Sequence, residues 1–262
     1  MKKYWKLFWH FRRTQLMKMM EYRGDFFFWM AVSVMWTAFN FFFYTIIIGN
    51  SKTISGWTYD EVLVLLSIFT MIDSFTWSVF YPNMINYSES IYQGNLSKLL
   101  LSPINSIFMI LTQEATYHNV PRFFIGLVVL LKTLNKMNVE IFAVQIFLAI
   151  FVFGCAIIFL YSTWFILATL SFWAEKLTNI NEIMPGLRAV YQMPAGIYTG
   201  ITGFIITFIF PLGLVTTLPS EIILGRNSTA QIIYFFFFTI LLANLSIMFY
   251  KFSIRKYSSV GN

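Results

Sequence analysis

Glu114, His118 and Arg122 recur at intervals of four, so on an α-helix they would form one stripe of ionisable groups. Asp73 stands alone as a charge inside another apolar stretch. An ionisable side chain in hydrocarbon costs from a few to ~10 kcal/mol unless it is paired or wet, so these four must face protein or water. Two pairings fit the spacing. Either Glu114 and Arg122 bracket His118 in a charge-compensated network, or Asp73 meets Arg122 across helices. The stripe could instead line a path and help pass a charged headgroup, and part of it could sit in the headgroup zone. No catalytic constellation follows from these residues. His10 and His118 are the only histidines and no acidic cluster has short spacing, so no metal site is expected. Cys155 is the only cysteine, which excludes an internal disulfide and a thiolate metal cluster.

The elements that must position these groups are apolar. A bilayer core of roughly 30 Å needs about 20 apolar helical residues to cross it. Six segments qualify: 26–48, 62–82, 106–131, 141–173, 189–218 and 231–250. The chain is 58% hydrophobic and 11% charged, with a mean hydropathy of +0.69, too apolar for a soluble core to hide. Backbone groups in lipid must be satisfied within their own segment, and these runs are too long for barrel strands, so helices are expected. The reading is an all-α polytopic membrane protein with six transmembrane helices. Residues 1–25 form a leader, 26–250 the membrane domain with a cytoplasmic loop at 83–105, and 251–262 a tail.

In the leader, Tyr4, Phe8, Phe11 and Met19 share a helical face with Trp5 and Leu16, while Lys2, Lys6 and Arg13 lie opposite. That pattern suits an amphipathic helix lying in the membrane interface, with the bilayer as its partner. Lysine and arginine set the orientation. With the N-terminus inside, the cytoplasmic segments hold Lys2, Lys3, Lys6, Arg12, Arg13, Lys18, Arg23, Lys98, Lys176, Arg188, Lys251, Arg255 and Lys256. The outside holds only Lys52, Lys132, Lys136 and Arg226. Both termini are therefore expected in the cytoplasm. The pI near 9.4 has its source in these membrane edges, and no nucleic-acid partner is required.

The cytoplasmic loop carries Tyr92, Gly94, Leu96, Lys98, Leu99, Leu100, Leu101 and Pro103. Two turn signals, Gly94-Asn95 and Ser102-Pro103, bracket a short helix whose leucines need covering by lipid or a protein partner. In the fifth segment, Pro194 and Pro211 predict helix breaks, because proline removes a backbone hydrogen bond.

The phrase Gly94-Asn-Leu96 with Leu99-Leu100-Leu101-Ser-Pro103-Ile-Asn105 resembles the cytoplasmic loop of bacterial ATP-binding-cassette (ABC) exporter permeases of the ABC-2 type. Gln192-Met193-Pro194, Phe210-Pro211-Leu212-Gly213 and Leu224-Gly225 are similar to the fifth span and outer loop of that class. The resemblance implies a permease subunit in the bacterial cytoplasmic membrane, dimeric with a second copy or a related permease, and driven by a separate ABC ATPase subunit. ATP and magnesium would bind that partner and no cofactor this chain, which lacks a Gly-x-x-x-x-Gly-Lys-Ser/Thr loop. The loop from Tyr87 to Leu101 would then be the coupling helix seated on the ATPase. Two other readings compete: an intramembrane lipid-modifying enzyme using the Glu114, His118, Arg122 stripe, and a membrane anchor that recruits a partner through 87–105.

Overall fold

A computed structural model of the 262-residue chain describes residues 2–49, 53–140, 142–173, 182–226 and 228–255. Lys52, Lys176, Lys256 and the tail beyond Arg255 lie outside the described residues. The order is α1 (Lys2–Glu21), α2 (Arg23–Gly49), α3 (Tyr59–Phe75), α4 (Tyr81–Tyr92), α5 (Leu96–Leu100), α6 (Ser106–Thr112) and α7 (Val120–Lys136). It continues with α8 (Ala143–Thr169), α9 (Ile183–Tyr191), α10 (Gly200–Phe204), α11 (Leu214–Ile223) and α12 (Thr229–Ile254). No strand occurs among the described residues.

Among the described residues, four helical stretches are long and apolar enough to cross a bilayer: Arg23–Ile47, Tyr59–Tyr92, Ala143–Phe172 and Thr229–Ile254. A fifth is reached only if Gly200–Ile209 and Leu214–Ile223, bent by 79°, count as one span. The six spans expected from hydropathy are thus four or five among the described residues. Segment 106–131 is interrupted, since residues 113–119 are not helical and α7 begins only at Val120. Segment 189–218 is split at Pro194 and again at Phe210-Pro211. Hydropathy averages over such breaks; Pro194 and Pro211 mark those of segment 189–218 in the sequence, and the break at 113–119 itself contains no proline.

The centre of the fold is a rod of 34 residues, Tyr59–Tyr92, in which α3 and α4 are joined by a π-helical turn at Thr76–Phe80. Pro82 accounts for the turn. It has no N–H to give to the Ser78 carbonyl one turn back, and its ring crowds that carbonyl. The Tyr81 N–H bonds to the Thr76 oxygen instead, which also leaves the Trp77 carbonyl free. Thr116 takes up both: its N–H donates to Ser78 O at 2.8 Å and its hydroxyl to Trp77 O at 2.9 Å.

Around this rod, α7 lies on α3 so closely that a Cβ on Gly126 would meet the Ser67 carbonyl oxygen at 2.8 Å. Glycine permits that backbone approach. Helix α8 packs on α11, and its Phe159 ring lies 5.2 Å from Phe210 just before α11 and 5.6 Å from Phe235 of α12 between centroids. At one end of the bundle Lys136 pairs with Asp60 at 2.7 Å and Arg226 with Glu61. At the other end α6 receives the start of α1 and the end of α12: the Tyr4 ring sits 4.9 Å from Phe108, and the Tyr250 hydroxyl donates to Ser106 Oγ at 2.8 Å.

Candidate functional site

Asp73 is fully buried on α3, and two arginines converge on it. Arg188 of α9 places Nε 2.8 Å from Oδ1 and Nη2 2.8 Å from Oδ2. Arg122 of α7 donates through its Nη2 to Oδ2. The Arg188 guanidinium also lies over the Phe69 ring, 5.1 Å from its centroid. One carboxylate thus joins three elements, α3, α7 and α9. Of the two pairings left open by the sequence, the one across helices is formed. Arg188, counted by sequence among the cytoplasmic flanks, belongs to this interior cluster, because its carboxylate partner sits deep in the rod.

The expected stripe of Glu114, His118 and Arg122 does not exist, because a stripe needs continuous helix and residues 113–119 have none. Unwound backbone in an apolar segment is tolerated only where protein satisfies it, and here α1, α3 and α4 bond the backbone while α2 holds a side chain. Asn83 of α4 clasps Glu114 twice, donating to its carbonyl at 2.8 Å and accepting from its N–H at 2.9 Å. Arg12 of α1 donates to the Thr112 carbonyl, and to that of Glu114 at 3.0 Å. The Gln15 amide donates to Glu114 Oε2 at 2.6 Å. Ser33 of α2 donates to the Asn119 side chain at 2.8 Å, and Ser74 of α3 to the Asn119 carbonyl at 2.9 Å. His118 is half-buried in the turn before α7 and bonds to neither Glu114 nor Arg122 among the described residues. The proposed acid-base stripe of an intramembrane enzyme is thereby dismantled.

At the end of the rod, the Gly94 turn has φ of +71°, a left-handed conformation that glycine adopts without strain. Tyr92 (67% exposed), Lys98, Leu101 (85% exposed) and Pro103 face outward. Leu96 is wholly buried, and Leu99 and Leu100 pack against the same core. Leu96 is therefore an internal anchor that fixes α5 on this chain and is not a contact open to a partner. The sequence showed the leucines but not which of them turn inward. Pro194 and Pro211 stand where the helices break, Pro211 at the 79° bend before α11. No group of three histidine, cysteine, aspartate or glutamate side chains that could hold a metal occurs among the described residues.

Arg188, Arg12, Gln15, Asn83 and Asn119 escaped the sequence reading. For Asn83 a signal existed: a Pro82-Asn83 pair inside an apolar run asks which carbonyls the proline frees and what the amide holds. For Arg12 and Gln15 none existed, since a leader that looks interfacial gives no register for its partners. Neither a curated protein nor a solved structure matches the chain. A family model described as ABC-2 family transporter protein matches residues 34–261, taking in the rod, the broken third segment and the arginine-bearing α9. This multi-pass membrane chain, all-helical where it is described, belongs to the ABC-2 family of transporter proteins.

Proposed function

We propose that this chain is the permease subunit of a bacterial ABC exporter, moving its substrate by alternating access while a separate ATPase subunit binds and hydrolyses magnesium ATP. It works beside a second permease, of the same or a related chain, in the cytoplasmic membrane, with both termini inside. The leader lies along the inner interface with its aromatic residues toward the acyl chains. The observation that carries this reading is the α4–α5 turn. Its exposed side chains Tyr92, Lys98, Leu101 and Pro103 ride on the end of a continuous 34-residue rod whose middle holds Asp73. A push from an ATPase at that turn reaches the buried charge cluster through helix alone.

The test is co-purification of the ATPase with variants of the turn. Leu101→Asp and Lys98→Glu are expected to fold as the parent does, yet to lose the ATPase and its stimulated hydrolysis. Leu96→Asp is expected to destabilise the permease itself. Retention of the ATPase and its activity by both surface variants would overturn the assignment of the turn.

A further inference from the structure

The structure assigns to the α2–α9 seam a binding site for an anionic headgroup, with Arg188 as its ligand; this deepens the transporter reading and rests on it for the site's use, but not for its chemistry. Two guanidinium groups share the Asp73 carboxylate, so the cluster keeps one positive charge that no described residue neutralises through an ion pair. No second carboxylate pairs with either arginine among the described residues. Glu114 is engaged with the Gln15 amide.

The cluster lies well inside the bilayer. On α2 its neighbours fall between Ser33, about 10 Å beyond Phe26, and Asn40, about 20 Å beyond it, in a core of roughly 30 Å. An excess cation at that depth is costly unless an anion joins it. The two arginines differ in access: the Arg122 side chain is 7% exposed and that of Arg188 is 19%. Buried Arg122 Nε has no hydrogen-bond partner.

Arg188 opens toward α2 among neutral polar groups. Gln192, four residues on and so on the same helical face, donates to the Asn40 side chain at 3.2 Å. Tyr44 lies within electrostatic reach of Arg188. Amides and a hydroxyl beside a guanidinium already half-turned to a carboxylate suit a phosphate or carboxylate head, since the planar fork bonds such groups in pairs. A cationic head would meet repulsion. The anion could come from a resident membrane lipid or from the transported molecule; the chemistry is the same.

The experiment uses the purified chain in uncharged maltoside micelles, its thermal unfolding followed by tryptophan fluorescence. Decyl phosphate, decylphosphocholine and decyltrimethylammonium, with one tail and three heads, are the probes. Decyl phosphate is expected to raise the wild-type midpoint saturably by a few degrees, and the other two are not. Arg188→Gln is expected to abolish the rise and Arg188→Lys to keep part of it. Gln192→Glu leaves both arginines in place and supplies an internal anion, so it too should abolish the rise, even where Arg188→Gln fails to fold. An equal rise with decyltrimethylammonium, no rise with decyl phosphate, or an undiminished rise in Gln192→Glu overturns the site.

Added phosphatidylglycerol separates the two sources. If it raises the midpoint itself and removes the decyl phosphate response, a lipid head is the occupant. If decyl phosphate still stimulates ATP hydrolysis by the assembled transporter in phosphatidylglycerol membranes, the transported molecule is. Because the unfolding measurement needs no partner, absence of a cognate ATPase would sink the transporter reading and leave the anion site standing.

Discussion

Asp73 decides more than any other side chain because two arginines, Arg122 buried and Arg188 partly exposed, depend on it. Removing one partner of a buried, hydrogen-bonded ion pair costs about 3–5 kcal/mol, most of it the penalty of the charge left behind. Asp73→Asn leaves two guanidinium groups facing one another, whereas Arg188→Gln leaves a single matched pair. The expected order of unfolding midpoints in detergent is therefore wild type, then Arg188→Gln, then Asp73→Asn, and a reversal of the two variants would contradict the shared-carboxylate geometry. Thr116 is the next most telling residue. Thr116→Val removes the hydroxyl that satisfies the Trp77 carbonyl while keeping the shape, so a loss of about 1–3 kcal/mol is expected on equilibrium unfolding. The Asp73 and Arg122 charges could be singled out from sequence because charge in an apolar run is conspicuous. Arg188 was not, because it stands between two hydrophobic segments and reads as a loop flank.

Among elements, helix existence was legible, and helix continuity only where proline marks the break, at Pro194 and Pro211. The stretches Phe26–Ile48 and 231–250 are uniformly apolar and appear as α2 and α12 with little change at their limits. Segment 106–131 is as apolar on average, yet it breaks at 113–119, because Arg12, Gln15, Asn83 and Ser74 offer its backbone better partners than helix would, while Ser33 holds the Asn119 side chain. Those partners lie 31 or more residues away, so no local window contains them. The contact of α7 with α3 is equally invisible until both backbones are placed. Gly126→Leu would drive a side chain into Ser67 and Met71, and overpacking of that kind costs about 1–3 kcal/mol. The expected result is a lower unfolding midpoint with the α7–α3 contact pried open, read as faster amide hydrogen exchange in residues 120–136 than in α12.

For the whole molecule, the ends of the chain provide the clearest check. Tyr4 beside Phe108 and Tyr250 bonded to Ser106 put the start of α1 and the end of α12 together at α6. Single cysteines at Lys3 and Arg255 are expected to react with a membrane-impermeant thiol reagent together, from the cytoplasmic face only. Cys155 is buried in α8 and gives little background. Labelling of the two sites from opposite faces would refute the shared placement. The leader's hold on the interrupted third segment has a consequence for biosynthesis. A ribosome delivers residues 12 and 15 long before residue 114 emerges, so the hydrogen-bonding clamp is waiting when the unwound strand enters the membrane. A circular permutant that makes residues 2–21 last would release that strand into lipid with its peptide groups bare, and such a chain should be a substrate for quality-control proteolysis.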